Sequence, residues 1–332
     1  MKRTISGSLL VALVLVLTLT PLALSGRPAH AQNGDVCYAV ADNGGVPGSE
    51  DTLVTLDKVT GVTTLIGYTG TTNIEAIAFE LGAETLFAAD GEQLGTLDLA
   101  TAAFTARPEA FGTGSGALGE IEFDDVDGLT VDPATDILYG THRQNNPQKD
   151  VMLQINSATG GHVPDAFGPG VDYVVVEGDG VLNDVDDIAV DPITGQMYAA
   201  TNNGGAGGVL VSVDKATGAG VVVGPFGVDD IEGLAYFNDG QLYGSTGKYS
   251  TGPDTTNELY LINENTGAAT FVAPFSQYVD IEALDCLTEP TSITLSGIGA
   301  AADPALNTVL LVALAALAAL TLVVARRLSA PK

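Results

Sequence analysis

The chain has 332 residues, with 41 Asp and Glu against 12 Lys and Arg, for a net charge of −29. Residues 32–304 carry all 41 acids and only six of the bases, a net charge of −35. Such a stretch excludes nucleic acid and anionic lipid as partners, because both are held by Lys and Arg meeting phosphates; it favours cations, basic partners or plain solubility.

The N-terminus reads as a secretory signal peptide over residues 1–31. Met1, Lys2 and Arg3 form a basic start, Leu9 to Leu24 an apolar stretch, and Ala29-His30-Ala31 a small-residue cleavage site. The competing reading is an uncleaved anchor. The chain's 41 glycines, with frequent Val, Thr, Leu and Tyr, suit short strands and tight turns rather than disorder.

An acidic phrase then recurs five times: NIEAIAF at 73–79, DVDGLTV at 125–131, DVDDIAV at 184–190, DIEGLAY at 230–236 and DIEALDC at 280–286. The starts lie 46 to 59 residues apart, the spacing of a repeat architecture. A second strand follows four of the phrases, at 84–90, 136–142, 195–201 and 240–246, across turns such as VDPATD and VDPITG. Third strands end in an Asp- or Asn-led turn, as in LVTLDKVTG (53–61) and LVSVDKATG (210–218), and fourth strands such as VTTLIG, GHVPDAF and AGVVVG follow. Apolar and polar residues alternate with period two through most of these runs. The expected fold is therefore all-β, a five-bladed β-propeller of four-stranded blades over 32–287.

The array ends complement each other. VCYAVAD at 36–42 lacks an acidic first strand, and DIEALDC is a first strand with nothing after it, so the two complete one blade. The two cysteines sit one at each end. Aligned on the other blades, Cys37 takes the place of Met197 and Cys286 that of Val190, positions that face each other across a hairpin. Together with export, this favours a Cys37–Cys286 disulfide over two buried thiols.

Topology puts the acidic phrases and the loops between second and third strands on one face. Those loops are long: 41–51, 141–150, 201–209 and 245–257. They hold His142, Arg143, Asn202 and Lys248 as candidate face residues, with a solvated loop as the competing reading for His142 and Arg143. Two entries to the phrases, 119–128 and 177–187, are enlarged and acidic. The segments 106–123 and 168–183 have room for extra strands.

With period two, Asn73 and Glu75 point one way, as do Asp125 and Asp127, Asp184 and Asp186, Asp230 and Glu232, and Asp280 and Glu282. Nine carboxylates and one amide so close cannot all stay ionised unaided. Oxygen-only ligands suit Ca²⁺, or Mg²⁺ with retained waters. The competing reading is that each acid caps backbone N–H groups or bonds a neighbouring blade. Enzyme signals are sparse. His142 and His162 are the histidines beyond the leader, without a zinc cluster, and there is no G-x-S-x-G elbow. Paired carboxylates could run glycoside hydrolysis, but acids repeated in every blade follow the scaffold's symmetry. Tyr38, Tyr139, Tyr198 and Tyr243 hold matching positions and read as core between blades.

The phrase D-[IV]-[DE]-G-[LI], with a downstream Tyr-[AG] and D-x-x-T-G, resembles the repeats of secreted bacterial surface propellers of the YncE-like and SdiA-regulated kinds. The DIEGLAY copy also resembles esterase-like phytase propellers, which implies calcium-dependent phosphate-ester hydrolysis. With six bases in 32–304 this chain has little to hold phosphate, so that activity is not carried over.

After the repeats, residues 288–307 read as a linker. Thr308 to Ala325 is an uncharged apolar run, followed by Arg326 and Arg327 and a short tail to 332. It is expected to span a membrane with the tail cytoplasmic and the propeller outside; a buried core helix is the alternative. The layout resembles bacterial sorting tails. The expectation is a monomeric surface module that binds an extracellular protein or glycan, the rival being a calcium-dependent hydrolase of glycans or phosphate esters.

Overall fold

A computed structural model describes residues 36–287, apart from 43–49, 81, 83, 179–183, 203–206, 248–256 and 279. The leader, the linker, the apolar run, the tail and Lys248 lie outside the described residues. Among the described residues, no helix is long and apolar enough to cross a membrane.

The strands run in chain order as β1 (Cys37–Ala41), β2 (Thr52–Leu56), β3 (Thr63–Tyr68), β4 (Ile74–Phe79), β5 (Leu86–Asp90), β6 (Gln93–Leu97) and β7 (Phe104–Ala106). A small hairpin, β8 (Thr113–Gly116) and β9 (Gly119–Glu122), comes next. Then follow β10 (Val126–Asp132), β11 (Ile137–Asn145), β12 (Gln148–Ile155), β13 (Tyr173–Val175) and β14 (Glu177–Gly178). The last are β15 (Val185–Val190), β16 (Met197–Thr201), β17 (Val209–Val213), β18 (Ala219–Pro225), β19 (Ile231–Tyr236), β20 (Leu242–Thr246), β21 (Glu258–Ile262), β22 (Ala269–Pro274) and β23 (Ile281–Cys286).

They form five antiparallel meanders: β4 to β7, β10 to β13, β15 to β18, β19 to β22, and a composite of β23, β1, β2 and β3. The short β14 adds in parallel to the outer edge of the β15–β18 blade. The inner strands pack in a closed circle, β4 on β10, β10 on β15, β15 on β19, β19 on β23, and β23 back on β4. This is the expected five-bladed propeller, with the last phrase supplying the inner strand of the first blade. Cys37 lies opposite Cys286 in that pairing, and the two are joined in a disulfide.

The core is divided by the seams between blades. Five apolar clusters each join two neighbouring blades, such as Tyr38, Val40 and Leu53 against Ile77, Phe79 and Leu86. Tyr38, Tyr139 and Tyr243 are buried in these seams, as expected, and Tyr198 is partly buried at another. Inner strands are crowded from both sides, which explains why the fourth residue of the phrase is Gly or Ala in four of the five copies. A Cβ on Gly128 would stand 3.0 Å from the Asp187 Cα on the next inner strand. The D-x-x-T-G turns behave as their residues dictate: the Asp57 side chain accepts the N–H groups of Val59 and Thr60, and Gly61 closes the turn at φ +67°.

Two expectations are corrected. The segment 141–150 is not a long loop: β11 and β12 run on to Asn145 and from Gln148, so the connection is a tight turn. The fourth strand of the third blade is β13 at 173–175 rather than GHVPDAF, where His162 makes one isolated bridge to Ile155. The reason is a competing partner: Gly161 and His162 lie against 109–112, with the His162 N–H bonded to the Phe111 carbonyl, and the chain leaves β12 after Val163. The enlarged segments do contain strands, β8, β9, β13 and β14, without adding a blade; Phe111, Ile121, Phe123 and Tyr173 use them to enlarge one seam cluster.

The disulfide closes a separation of 249 residues. Replacing both cysteines by alanine is expected to cost about 2–5 kcal/mol in denaturant unfolding. A loss below about 0.5 kcal/mol would show that strand pairing and seam packing alone close the ring.

Candidate binding site at the acidic mouth

Each acidic phrase enters its strand in the same way. The first residue, always Asn or Asp, places its backbone carbonyl to accept an N–H from the residue just past the second strand in four copies, and from Arg143 within the longer β11 in the other. The five bonds are Gly91 to Asn73, Arg143 to Asp125, Asn202 to Asp184, Gly247 to Asp230 and Asp42 to Asp280, at 2.9–3.1 Å. Asp184, Asp230 and Asp280 do this at φ of +79°, +66° and +61°, a region that Asp tolerates better than larger side chains. The residue type at this position is thus partly a backbone requirement.

The third residue is the extra residue of a β-bulge in all five copies. The ladder steps from Ile74 to Ala76, Val126 to Gly128, Val185 to Asp187, Ile231 to Gly233 and Ile281 to Ala283, leaving Glu75, Asp127, Asp186, Glu232 and Glu282 without a ladder partner. A bulge bends its strand and re-aims the extra side chain. The two acids of a phrase do converge on one mouth, but by this bulge and not by plain strand alternation.

The mouth has two unlike halves. On one side Arg143, on β11, lies among three carboxylates: its Nε is 3.0 Å from Asp127 Oδ2, and its Nη2 is 3.2 Å from Asp184 Oδ1 and 3.1 Å from Asp186 Oδ1. Burial pulls the Arg143 pKa down, and Asp127, Asp186 and Asp184 more than reverse it. His142 beside it is fully buried; its Nδ1 meets the Asp125 carbonyl at 2.8 Å, and burial depresses its pKa. Both are the candidate face residues expected in a long loop, and they stand on a strand instead. The hairpin extension that carries β11 past Thr141 puts one in the core and the other in the mouth.

On the other side are Glu232 and Glu282. Burial, then Asp230, Asp186 and Asp280, push Glu232 up to about 9; burial and then Glu232 raise Glu282 well above the carboxylate range. The two carboxyls hydrogen-bond each other, a contact that needs a proton between the oxygens. Burial and then Glu75 raise Asp127, burial and then Asp184 raise Asp186, and Asp125 and Asp230 also move up, chiefly through burial. Asn202 contributes its N–H to Asp184, while its side-chain Oδ1 is buried without a donor.

Other acids act as stitches, and the phrase pattern does not reveal them. Asp51, just before β2, accepts the Ile74 N–H at 2.8 Å, and Asp150 on β12 accepts the Val185 N–H at 3.0 Å, each reaching the next inner strand. Asn257 does the same for Asp280 at 2.6 Å. Asp187 on β15 accepts N–H groups of Leu129 and Leu234 and so ties three inner strands; Asp285 on β23 accepts that of Phe79. The visible signal was an acid at a position where other copies have Gly or Ala. At the far end of the channel a cavity of about 60 Å³ is lined by groups such as Phe79, Pro133, Pro192 and Tyr236, with Asp285 in its wall.

No protein-family model and no curated protein matches the chain. It is similar to a chain of a nidogen–laminin complex at 12% identity and a TM-score of 0.47, covering 77% of this chain and 99% of that one. It is likewise similar to a proposed 6-phosphogluconolactonase from Bacteroides fragilis NCTC 9343, at 10% identity and a TM-score of 0.43, with 77% and 99% covered. At these scores the likenesses say nothing of ligand or chemistry.

The buried carboxyls set a pH dependence. Burial raises Asp51 to about 7, Asp150 to about 6 and Asp285 to about 7, besides Glu232 at about 9. Each holds its proton more tightly folded than unfolded, so its contribution is fully present below about pH 4 and is lost as pH rises through roughly 6 to 9. With chelator present, the melting temperature is expected to fall steadily from about pH 5.5 to pH 9. A flat profile would contradict this electrostatic picture. Arg143→Gln should lower the melting temperature more at about pH 8 than at pH 5, where protonation of Asp127 and Asp186 relieves the loss.

Proposed function

We propose that this propeller is a non-catalytic extracellular binding module whose acidic mouth takes cationic groups. The observation that carries the reading is the convergence of all five bulged acids on one mouth, with Arg143 covering only part of them. A basic side chain is already accommodated there, three carboxylates around one guanidinium, which is what a basic side chain of a partner protein or an amine-bearing glycan would meet. The cations supported by the chemistry include Ca²⁺, through oxygen-only ligands.

The reading includes export by residues 1–31, a monomeric ring, and a tether through 308–325 at the cell surface, in the manner of the secreted bacterial propellers that the repeats resemble. Each inner strand begins at the mouth, so β23 leads the chain to Leu287 on the opposite face. A tether there would leave the mouth pointing outward. The rival, a hydrolase, needs a carboxylate pair distinct from the rest; the pairs present follow the fivefold repeat.

Two measurements separate the readings. Panels of glycans and phosphate esters are expected to show no turnover with or without Ca²⁺; turnover abolished by Asp230→Asn with Glu232→Gln would establish the hydrolase instead. A hexalysine peptide is expected to bind the full chain, and the Asp184→Asn, Asp230→Asn, Glu282→Gln variant to weaken that binding about tenfold. Asp57→Asn, Asp98→Asn, Asp214→Asn is the charge-matched control on the opposite face. Equal weakening by both triples would reduce the mouth to bulk charge, since long-range attraction depends on net charge alone.

A further inference from the structure

The mouth's acids are neutralised in two different ways on two sides, by Arg143 around Asp184 and Asp186 and by shared protons at Glu232 and Glu282. A third group remains at the seam between β4 and β10. Glu75, Asp125 and Asp127 each offer a carboxylate oxygen, and those oxygens all lie within 4.8 Å of one another. Glu75 comes within hydrogen-bonding reach of Asp127 although both are acids. Such a contact needs a proton or a cation between the oxygens.

A second observation points the same way. Asp127 is 3% exposed, and its Oδ1 is buried with no donor. Its other oxygen, Oδ2, forms an ion pair with Arg143 Nε at 3.0 Å but is likewise buried without a hydrogen-bond donor. A buried carboxylate oxygen without a donor is costly, and a hard cation removes that cost. Asp42, Asp280 and Glu282 form a similar triad at β23, on the other side of β4, but all three are only half-buried and none of their oxygens is both buried and without a donor.

We propose that Glu75, Asp125 and Asp127 form one divalent-cation site of the calcium class at the β4–β10 seam, and that Arg143 is the positioning residue that fixes Asp127 so that Oδ1 faces it. The proposal rests on the binding reading above and sharpens it from a ring of five equivalent positions to one seam. Three carboxylates leave part of a six- to eight-oxygen shell to water, which suits Ca²⁺ better than the strict octahedron of Mg²⁺. The site uses three acids whose mutual repulsion otherwise opposes folding. Occupancy should therefore raise the melting temperature as the ion concentration rises.

The test is calorimetric titration of CaCl₂, with MgCl₂ as comparison, into the full chain stripped with chelator, read alongside the melting temperature. One Ca²⁺ per chain is expected, with a Kd of about 1 mM or tighter. Glu75→Gln and Asp127→Asn should each weaken binding at least about tenfold and, without metal, leave the melting temperature unchanged or raised, because a like charge has gone. Asp280→Asn and Glu282→Gln should keep affinity within about twofold, since the second triad lies outside the site. Arg143→Gln should weaken Ca²⁺ binding while Arg143→Lys restores part of it. Unchanged affinity in Glu75→Gln and Asp127→Asn, or loss confined to Glu282→Gln, would overturn this site and leave the binding mouth standing. No heat at about 10 mM Ca²⁺ or Mg²⁺ would also overturn the site; mouth-dependent hexalysine binding would still uphold the broader reading.

Discussion

The pairing of β23 with β1 is the constraint on which the rest depends, because a blade without its inner strand at one end and a lone inner strand at the other have no stable way to stop. Supplying the inner strand of the first blade from the last residues turns an open row into a circle and gives every inner strand two neighbours. The seam clusters follow directly, since each is shared between two blades and none is complete in a single one. The Cys37–Cys286 bond locks that pairing at the point where the chain's two ends meet. Without closure, five acidic strand entries would be spread along a ribbon; with it they surround one axis.

Closure makes like charges neighbours. Two unit charges about 4 Å apart interact by roughly 4 kcal/mol at an effective dielectric near 20, and several such pairs would rival the stability of an entire domain. The molecule therefore disposes of the charge locally, by a guanidinium at Asp127, Asp184 and Asp186, by protons at Glu232 and Glu282, and by backbone N–H groups at Asp51, Asp150, Asp187 and Asp285. The N–H donors belong to neighbouring blades, so the same acids that cost desolvation also hold the seams in register. Those stitches explain why so acidic a chain can still close.

The repeat, the blade plan and the disulfide were legible because each rests on residue spacing or on pairing that a hairpin makes local. Cys37 and Cys286 could be set opposite one another simply by aligning them on Met197 and Val190. The bulges were not legible. An extra residue in one strand leaves the sequence pattern intact and changes only the partner's count, so Glu75 and its equivalents read as ordinary period-two positions. Arg143 was hidden for a related reason. Polar residues in THRQNNPQKD signal a loop, yet β11 and β12 keep pairing to Asn145 and Gln148, where solvent rather than a core receives the side chains.

Symmetry and its breaking divide the labour in this fold. Features present in every copy, the bulge and the carbonyl bond of the first residue, belong to the entry of an inner strand and would be needed whatever the protein binds. Features present once carry the specificity: Arg143 on β11, Asp187 on β15 and Asp285 on β23 have no counterparts in the other blades. Asp187 and Asp285 face backbone groups of neighbouring inner strands and are spent on the seams. Arg143 instead faces carboxylates at the open end, where it makes the β10–β15 seam electrostatically unlike the others. A ring built by repetition has five equal positions; one arginine is enough to make them unequal, and among the described residues buried carboxylate oxygens without a donor remain on Asp127, Asp186 and Glu232, of which Asp127 alone belongs to a triad of converging carboxylates.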